Sequence, residues 1–105
     1  MRDGWILSDT IFDGAQLLSE SAILLVDGKV ADVAAERDLP KNVTCRRVNG
    51  TISPGFLDLQ VNGGGGILLN ADPTESGIAA IALAHRKFGT RAILPTVISD
   101  RPEVL

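Results

Sequence analysis

An α/β protein built from two unlike halves is expected from the sequence, and three observations carry that expectation. Residues 1–52 alternate short apolar and β-branched runs with Asp-Gly and Asn-Gly turns. Residues 53–105 hold two nearly continuous apolar runs, Phe56 to Val61 and Ala92 to Ser99, on either side of one amphipathic helical pattern. A glycine run, Gly63 to Gly66, stands between the first of these runs and the helix. Strand, glycine loop, helix and strand in that order make a βαβ unit.

Each element has a local cause. "WILSDTIF", Trp5 to Phe12, is β-rich and ends at Asp13-Gly14. "SAILLVDGKVADVAAE" is two apolar runs parted by Asp27-Gly28, a two-residue hairpin signal because Gly accepts positive φ. "VTCRRV", Val43 to Val48, is a further strand, closed by Asn49-Gly50. No helix longer than a turn is expected in this half. In the second half, Pro54-Gly55 bends the chain into Phe56 to Val61, whose unbroken apolarity is that of a parallel strand buried on both faces. The helix should start with Asp72 as N-cap, Pro73 in the first helical position and Glu75 closing a capping box. Ile78, Ile81, Ala82, His85 and Phe88 share one face, and Gly89 ends the helix. Pro95 removes a ladder donor from the last strand, so its far end should be irregular or paired on one side only. A parallel barrel takes eight strands and typically ~250 residues. The chain therefore reads as the N-terminal piece of a larger protein, divided into incomplete domains at 1–52 and 53–105.

Composition excludes several function classes. Apolar residues make up 45% and charged residues 22%, as in a soluble globular domain. Mean hydropathy is +0.20, so some apolar surface should need cover. A net charge of -3 with scattered Lys and Arg leaves no footprint for nucleic acid or an acidic membrane. The single cysteine, Cys45, excludes an internal disulfide and is expected as a small strand residue. No apolar run approaches the ~20 residues that span a bilayer, so neither membrane nor nucleic acid is expected as a partner and the expected location is the cytoplasm.

The chemistry concentrates where Phe56 to Val61 runs into the glycines. Parallel α/β folds place ligands just beyond the C-terminal ends of their strands. Gln60 and Asn62, two apart, point the same way and together offer two carbonyl acceptors and two amide donors. They are weak metal ligands beside imidazole or carboxylate. Satisfying the loop backbone is an equally open role for them, and Asp58 is a candidate buried carboxylate beside them. The glycines match no nucleotide motif. No Lys-Ser follows, and reading G-x-G-x-x-G from Gly63 or Gly64 puts Leu68 or Leu69 at the last glycine. His85, the only histidine, is expected to be a packing or helix-end residue remote from the strand ends. Thr96 and Ser99 could reach the same mouth as Gln60. No nucleophile–base pair, carboxylate pair or metal cluster is legible.

The segments "AILLVDGKVADVA" and "VNGTISPGFLDLQVNGGGG" resemble the N-terminal signature of the metal-dependent amidohydrolase superfamily. There a β-sandwich strand pair with a D-G turn precedes a P-G-F-[IL]-D leader into the first strand of a (β/α)8 barrel. The usual continuation is His-x-His, two metal ligands. Gln60-Val61-Asn62 in its place, the glycines and "LPTVIS" together resemble the N-acetylglucosamine-6-phosphate deacetylase family, some members of which carry Gln-x-Asn and keep a single metal. The resemblance runs from about Trp5 to Leu105. It implies hydrolysis of N-acetylglucosamine 6-phosphate to glucosamine 6-phosphate and acetate in amino-sugar catabolism, by a homo-oligomer with a divalent, Zn-type ion. It makes Gln60, Asn62, Gly63 and Gly64 the active-site mouth at a vacated metal position. The retained ligands and the catalytic aspartate of the family lie on later barrel strands, so no catalytic or metal-binding residue is assigned in this chain, which alone should be inactive. A dihydroorotase-like or deaminase-like amidohydrolase is disfavoured by Gln60-x-Asn62. A stand-alone β-rich binding or assembly module is disfavoured by apolar strands that seek a larger sheet.

If Gln60 and Asn62 occupy a vacated metal position, Gln60→His with Asn62→His in the full-length enzyme should let each chain bind an additional metal ion. An unchanged metal-to-protein ratio by elemental analysis would sink that assignment.

Overall fold

The computed structural model describes residues 2–103 of the chain, in two compact units that divide between Pro54 and Gly55.

The first unit is a single mixed sheet of β1 (Gly4–Phe12), β2 (Leu17–Val26), β3 (Lys29–Ala35), β4 (Cys45–Arg47) and β5 (Thr51–Ile52). Strand order is β3-β2-β1-β4, with the antiparallel hairpins on one side and β4 and β5 both parallel to β1 on the other. The β2–β3 turn is Asp27-Gly28, with φ of 50° and 72°, the left-handed pair a two-residue hairpin requires. At the β1–β2 connection Asp13 Oδ1 accepts the N–H groups of Gln16 and Ala15, both at 2.8 Å, and these bonds hold its carboxyl below the usual range.

The strand expected over Val43 to Val48 shortens to Cys45–Arg47 because β4 and β5 are successive pieces of one interrupted edge along β1. Ser8, fully buried, faces the interruption, and its hydroxyl donates to carbonyl oxygens of Gly50 and Thr10. Cys45 is a strand residue, as expected, and is exposed because it sits on this short outer strand. Trp5, Leu7 and Ala22 make the core of the unit, backed by Leu24, Ala34, Leu39 and Val43. The only helical turn among the described residues of this unit, Glu36–Asp38, is a short 3₁₀ segment.

The second unit contains β6 (Phe56–Val61), β7 (Gly63–Gly64), β8 (Ile67–Leu68), α1 (Glu75–Arg86) and β9 (Thr90–Pro95). Strands β6 and β9 pair in parallel across the crossover made by α1, which is the expected βαβ unit. Strand β9 ends at Pro95, which pairs with Val61 through the Thr96 N–H, so the absent proline N–H lies on the side away from β6. The core is Val61, Leu69 and Ile81, with Ile67, Ile78 and Ile93 packed against it.

Three expectations for this unit are corrected. Strand β6 is not buried on both faces. Phe56, Leu57 and Leu59 are 61%, 66% and 74% exposed, because a two-stranded sheet supplies no further strand or layer to cover them among the described residues. The N-cap is Thr74 rather than Asp72. Thr74 Oγ1 accepts the Gly77 N–H at 3.0 Å and donates to Asp72 Oδ1 at 2.6 Å, so Asp72 supports the cap from outside the helix and Pro73 precedes it. The helix ends at Arg86, leaving Phe88 outside it and 79% exposed. Gly89 turns the chain at φ 91°, its N–H donating to the Arg86 carbonyl at 3.1 Å.

Thr74→Ala removes the acceptor for an otherwise unpaired helix N–H and should lower stability by about 1 kcal/mol in denaturant unfolding, with Thr74→Ser near wild type. Equal stability of the Ala and Ser variants would show that the cap contributes nothing.

Candidate functional site

The site is built at the end of β6. Directly after Val61 the chain leaves the sheet, and the Asn62 carbonyl accepts the Leu69 N–H at 2.8 Å. Between these two residues the glycines form a tight antiparallel hairpin, in which Gly63 pairs with Leu68 and Gly64 with Ile67. Gly65 and Gly66 make its turn with φ of 62° and 82°, a left-handed pair that side chains rarely tolerate. Gly63 and Gly64 are required for a different reason. A Cβ on Gly63 would run into the Ile67 carbonyl, and a Cβ on Gly64 would lie 2.8 Å from His85 Nε2. The run is thus a hairpin with a helix pressed against it.

Side-chain amides continue the stitching beyond the last backbone bond of the β6–β9 pair. Thr96, the residue after Pro95, donates its N–H to the Val61 carbonyl at 2.8 Å. Asn62 Nδ2 donates to the Thr96 carbonyl at 2.8 Å. Asn70 then grips Ile98 twice: its Oδ1 accepts the Ile98 N–H at 2.8 Å and its Nδ2 donates to the Ile98 carbonyl at 2.7 Å. Each amide presents a donor and an acceptor, so it can stand in for a neighbouring backbone at an irregular strand end.

The sequence-predicted residues therefore separate. Asn62, half-buried, is held against residue 96, which is the backbone-satisfying role left open for it. Gln60 is exposed on β6, and its backbone N–H donates to Asp58 Oδ1 at 3.2 Å. Asp58 is half-buried rather than the buried carboxylate anticipated. Thr96 meets Asn62 through its carbonyl, while its hydroxyl donates to the Leu94 carbonyl at 3.0 Å, and Ser99 is exposed.

His85 is not remote from the strand end. Its Nε2 lies 2.9 Å from the Gly63 carbonyl, to which it donates, because the last turn of α1 passes over the hairpin. Sequence reasoning missed this contact and the Asn70 clamp. The available signal was that Asn62 and Asn70 flank the glycine run, and that a glycine run removes the bulk that would keep a helix away.

A metal does not fit the residues present. Gln60 and Asn62 each offer only a neutral amide oxygen, and no group of three or more His, Cys, Asp or Glu converges among the described residues. What the arrangement supplies is a shaped backbone rim with one outward-facing amide, Gln60.

No family model matches the chain. It is 41% identical over 105 residues to an N-acetylgalactosamine-6-phosphate deacetylase of Shewanella sp. (strain ANA-3), an alignment covering 90% of this chain and 26% of the relative. It is 31% identical over 109 residues to an N-acetylglucosamine-6-phosphate deacetylase of Caenorhabditis elegans, covering 98% of this chain and 24% of the relative. Among solved structures, an N-acetylglucosamine-6-phosphate deacetylase from Mycobacterium smegmatis superposes with a TM-score of 0.78 at 25% identity, covering 95% of this chain and 28% of that one. A mutant of the Mycobacterium smegmatis enzyme, in complex with N-acetyl-D-glucosamine-6-phosphate, superposes with a TM-score of 0.77 at 25% identity, covering 98% of this chain and 27% of that one. The chain thus spans about a quarter of the length of the relatives it matches.

Asn70→Ala removes both bonds to Ile98. It should accelerate hydrogen exchange of the Ile98 amide and lower stability by about 1 kcal/mol, while amides of β1 and β2 exchange as before. An Ile98 amide unaffected by the substitution would show that the clamp does not hold this segment.

Proposed function

We propose, since this chain belongs to the N-acetylglucosamine-6-phosphate deacetylase family, that it serves an enzyme which hydrolyses the acetamide of an N-acetylhexosamine 6-phosphate to the free amine and acetate. One observation carries the proposal. Relatives that align over nine-tenths or more of the chain, and structures that superpose on it, are amino-sugar-phosphate deacetylases. The alternatives of a dihydroorotase-like or deaminase-like enzyme, or of a stand-alone binding module, gain nothing from these relatives.

Within this proposal β6, α1 and β9 are the first strand, helix and strand of a (β/α)8 amidohydrolase barrel, and the sheet of residues 2–54 is one layer of a β-sandwich. The exposed apolar side chains of β6 suit neighbouring strands and outer helices that such a barrel would supply. Gln60 and Asn62 occupy the strand end where related amidohydrolases carry two metal-ligating histidines. In this chain they are a surface amide and a structural amide, which supports a vacated metal position. A divalent, Zn-type ion and the catalytic acid–base group belong to segments of the parent enzyme other than these residues. The chain by itself is inactive. The parent is placed in the cytoplasm as a homo-oligomer acting on a phosphorylated amino sugar.

A second possibility concerns the sugar. The 41% identity is to an N-acetylgalactosamine-6-phosphate deacetylase, whereas the N-acetylglucosamine-6-phosphate enzyme of Caenorhabditis elegans stands at 31%. The two substrates are epimers at C4, so the favoured hexosamine depends on how the parent contacts that hydroxyl.

The gene product that carries this chain should release acetate from one or both N-acetylhexosamine 6-phosphates, with kcat/KM naming the preferred epimer, and residues 1–105 alone should release none. Absence of acetate from both sugars with the metal-loaded parent would overturn the deacetylase assignment.

A further inference from the structure

We propose that His85 is a positioning residue that holds the Gly63 carbonyl and thereby sets the strand-end hairpin of residues 63–68. Three features of the geometry point to it. The imidazole Nε2 donates to the Gly63 carbonyl at 2.9 Å, linking the last turn of α1 to the first residue of the hairpin. Gly64, the next residue, has no room for a side chain, because a Cβ there would stand 2.8 Å from Nε2 and 3.0 Å from Cδ2 of the same ring. Gly65 is similarly close to the helix, since a Cβ at that position would lie only 3.2 Å from the Ala84 Cβ. The ring thus lies directly against backbone, and the absence of side chains at Gly64 and Gly65 is what lets the last turn of α1 come this close.

The consequence follows from what else could hold this loop. Glycine backbone has the largest freedom of any residue, so a hairpin with Gly at four successive positions loses the most entropy on ordering. Its own ladder is only two residue pairs long. The bonds at its base, from Leu69 to Asn62 and from Asn62 to Thr96, fix where it leaves the sheet but not how it tilts. The His85 bond is the contact from outside the hairpin that fixes the Gly63 peptide plane. In a barrel, a loop directly after the first strand lines the ligand mouth, so a fixed plane at Gly63 orders part of that mouth before substrate arrives. This kinetic consequence rests on the deacetylase proposal, whereas the positional claim does not.

The test compares two substitutions of different reach in the gene product that carries this chain. His85→Gln keeps an amide donor at nearly the distance of Nε2, and His85→Asn also carries an amide but is too short to reach Gly63. Hydrogen exchange of the Gly64 to Leu69 amides, referenced to β1–β3 in the same protein, should match wild type in His85→Gln. It should be about 10-fold faster in His85→Asn, the loss of one hydrogen bond. In the acetate assay, KM for the preferred N-acetylhexosamine 6-phosphate should rise about 5-fold in His85→Asn, with kcat changed less and His85→Gln near wild type. Folding of His85→Gln but not of His85→Asn supports the same role. Equal behaviour of the two variants overturns it, either because the bond holds nothing or because ring packing rather than the donor matters. A wild-type protein with no deacetylase activity sinks the functional proposal alone and leaves the exchange comparison to decide the role of His85.

Discussion

Helix α1 lies over the end of β6 because the hairpin presents Gly64 and Gly65 to it, with no side chain in between. That close approach lets His85 reach the Gly63 carbonyl, and it lets Ile81, fully buried one turn earlier, seat against Val61 and Leu69. Burying a side chain of that size is worth roughly 2 to 3 kcal/mol. A side chain at Gly64 would lever the helix outward and loosen that seat. Packing of the helix and the shape of the strand end therefore meet at Gly64 and Gly65.

A second constraint is Pro95. In the β6–β9 pair the bond beside Pro95 is made by the Thr96 N–H, and the proline leaves a donor missing only on the strand's other side. Beyond this point side-chain amides hold the strand end. Asn62 and Asn70 take up backbone groups of residues 96 and 98 that would otherwise be unpaired. This explains why an asparagine stands directly at the strand end. Its amide donor is engaged in structure, leaving Gln60 as the outward group. The clamp uses only the Asn62 Nδ2 group, and the amide oxygen left beside it is a neutral, weak ligand compared with imidazole.

Much of this architecture was legible because its causes are local. The Asp27-Gly28 hairpin, the βαβ order and the presence of one amphipathic helix between the two strands each follow from residues within a few positions of one another. The misreadings had causes elsewhere. Asp72 and Thr74 both satisfy the rules for an N-cap, and it is Thr74 whose hydroxyl reaches the Gly77 N–H. Unbroken apolarity in β6 signals what the strand would bury in a larger sheet, and the described residues do not supply that sheet.

Element order, turn chemistry and the family resemblance could all be read from the residues alone, since backbone preferences and short motifs act through neighbours in the chain. The purpose of the glycine run could not. Which atom occupies the space beside Gly64 depends on His85, a residue distant in the chain that a helix carries back over a parallel strand pair. No local rule reports such a contact, because it exists only once the crossover has brought α1 across the end of β6.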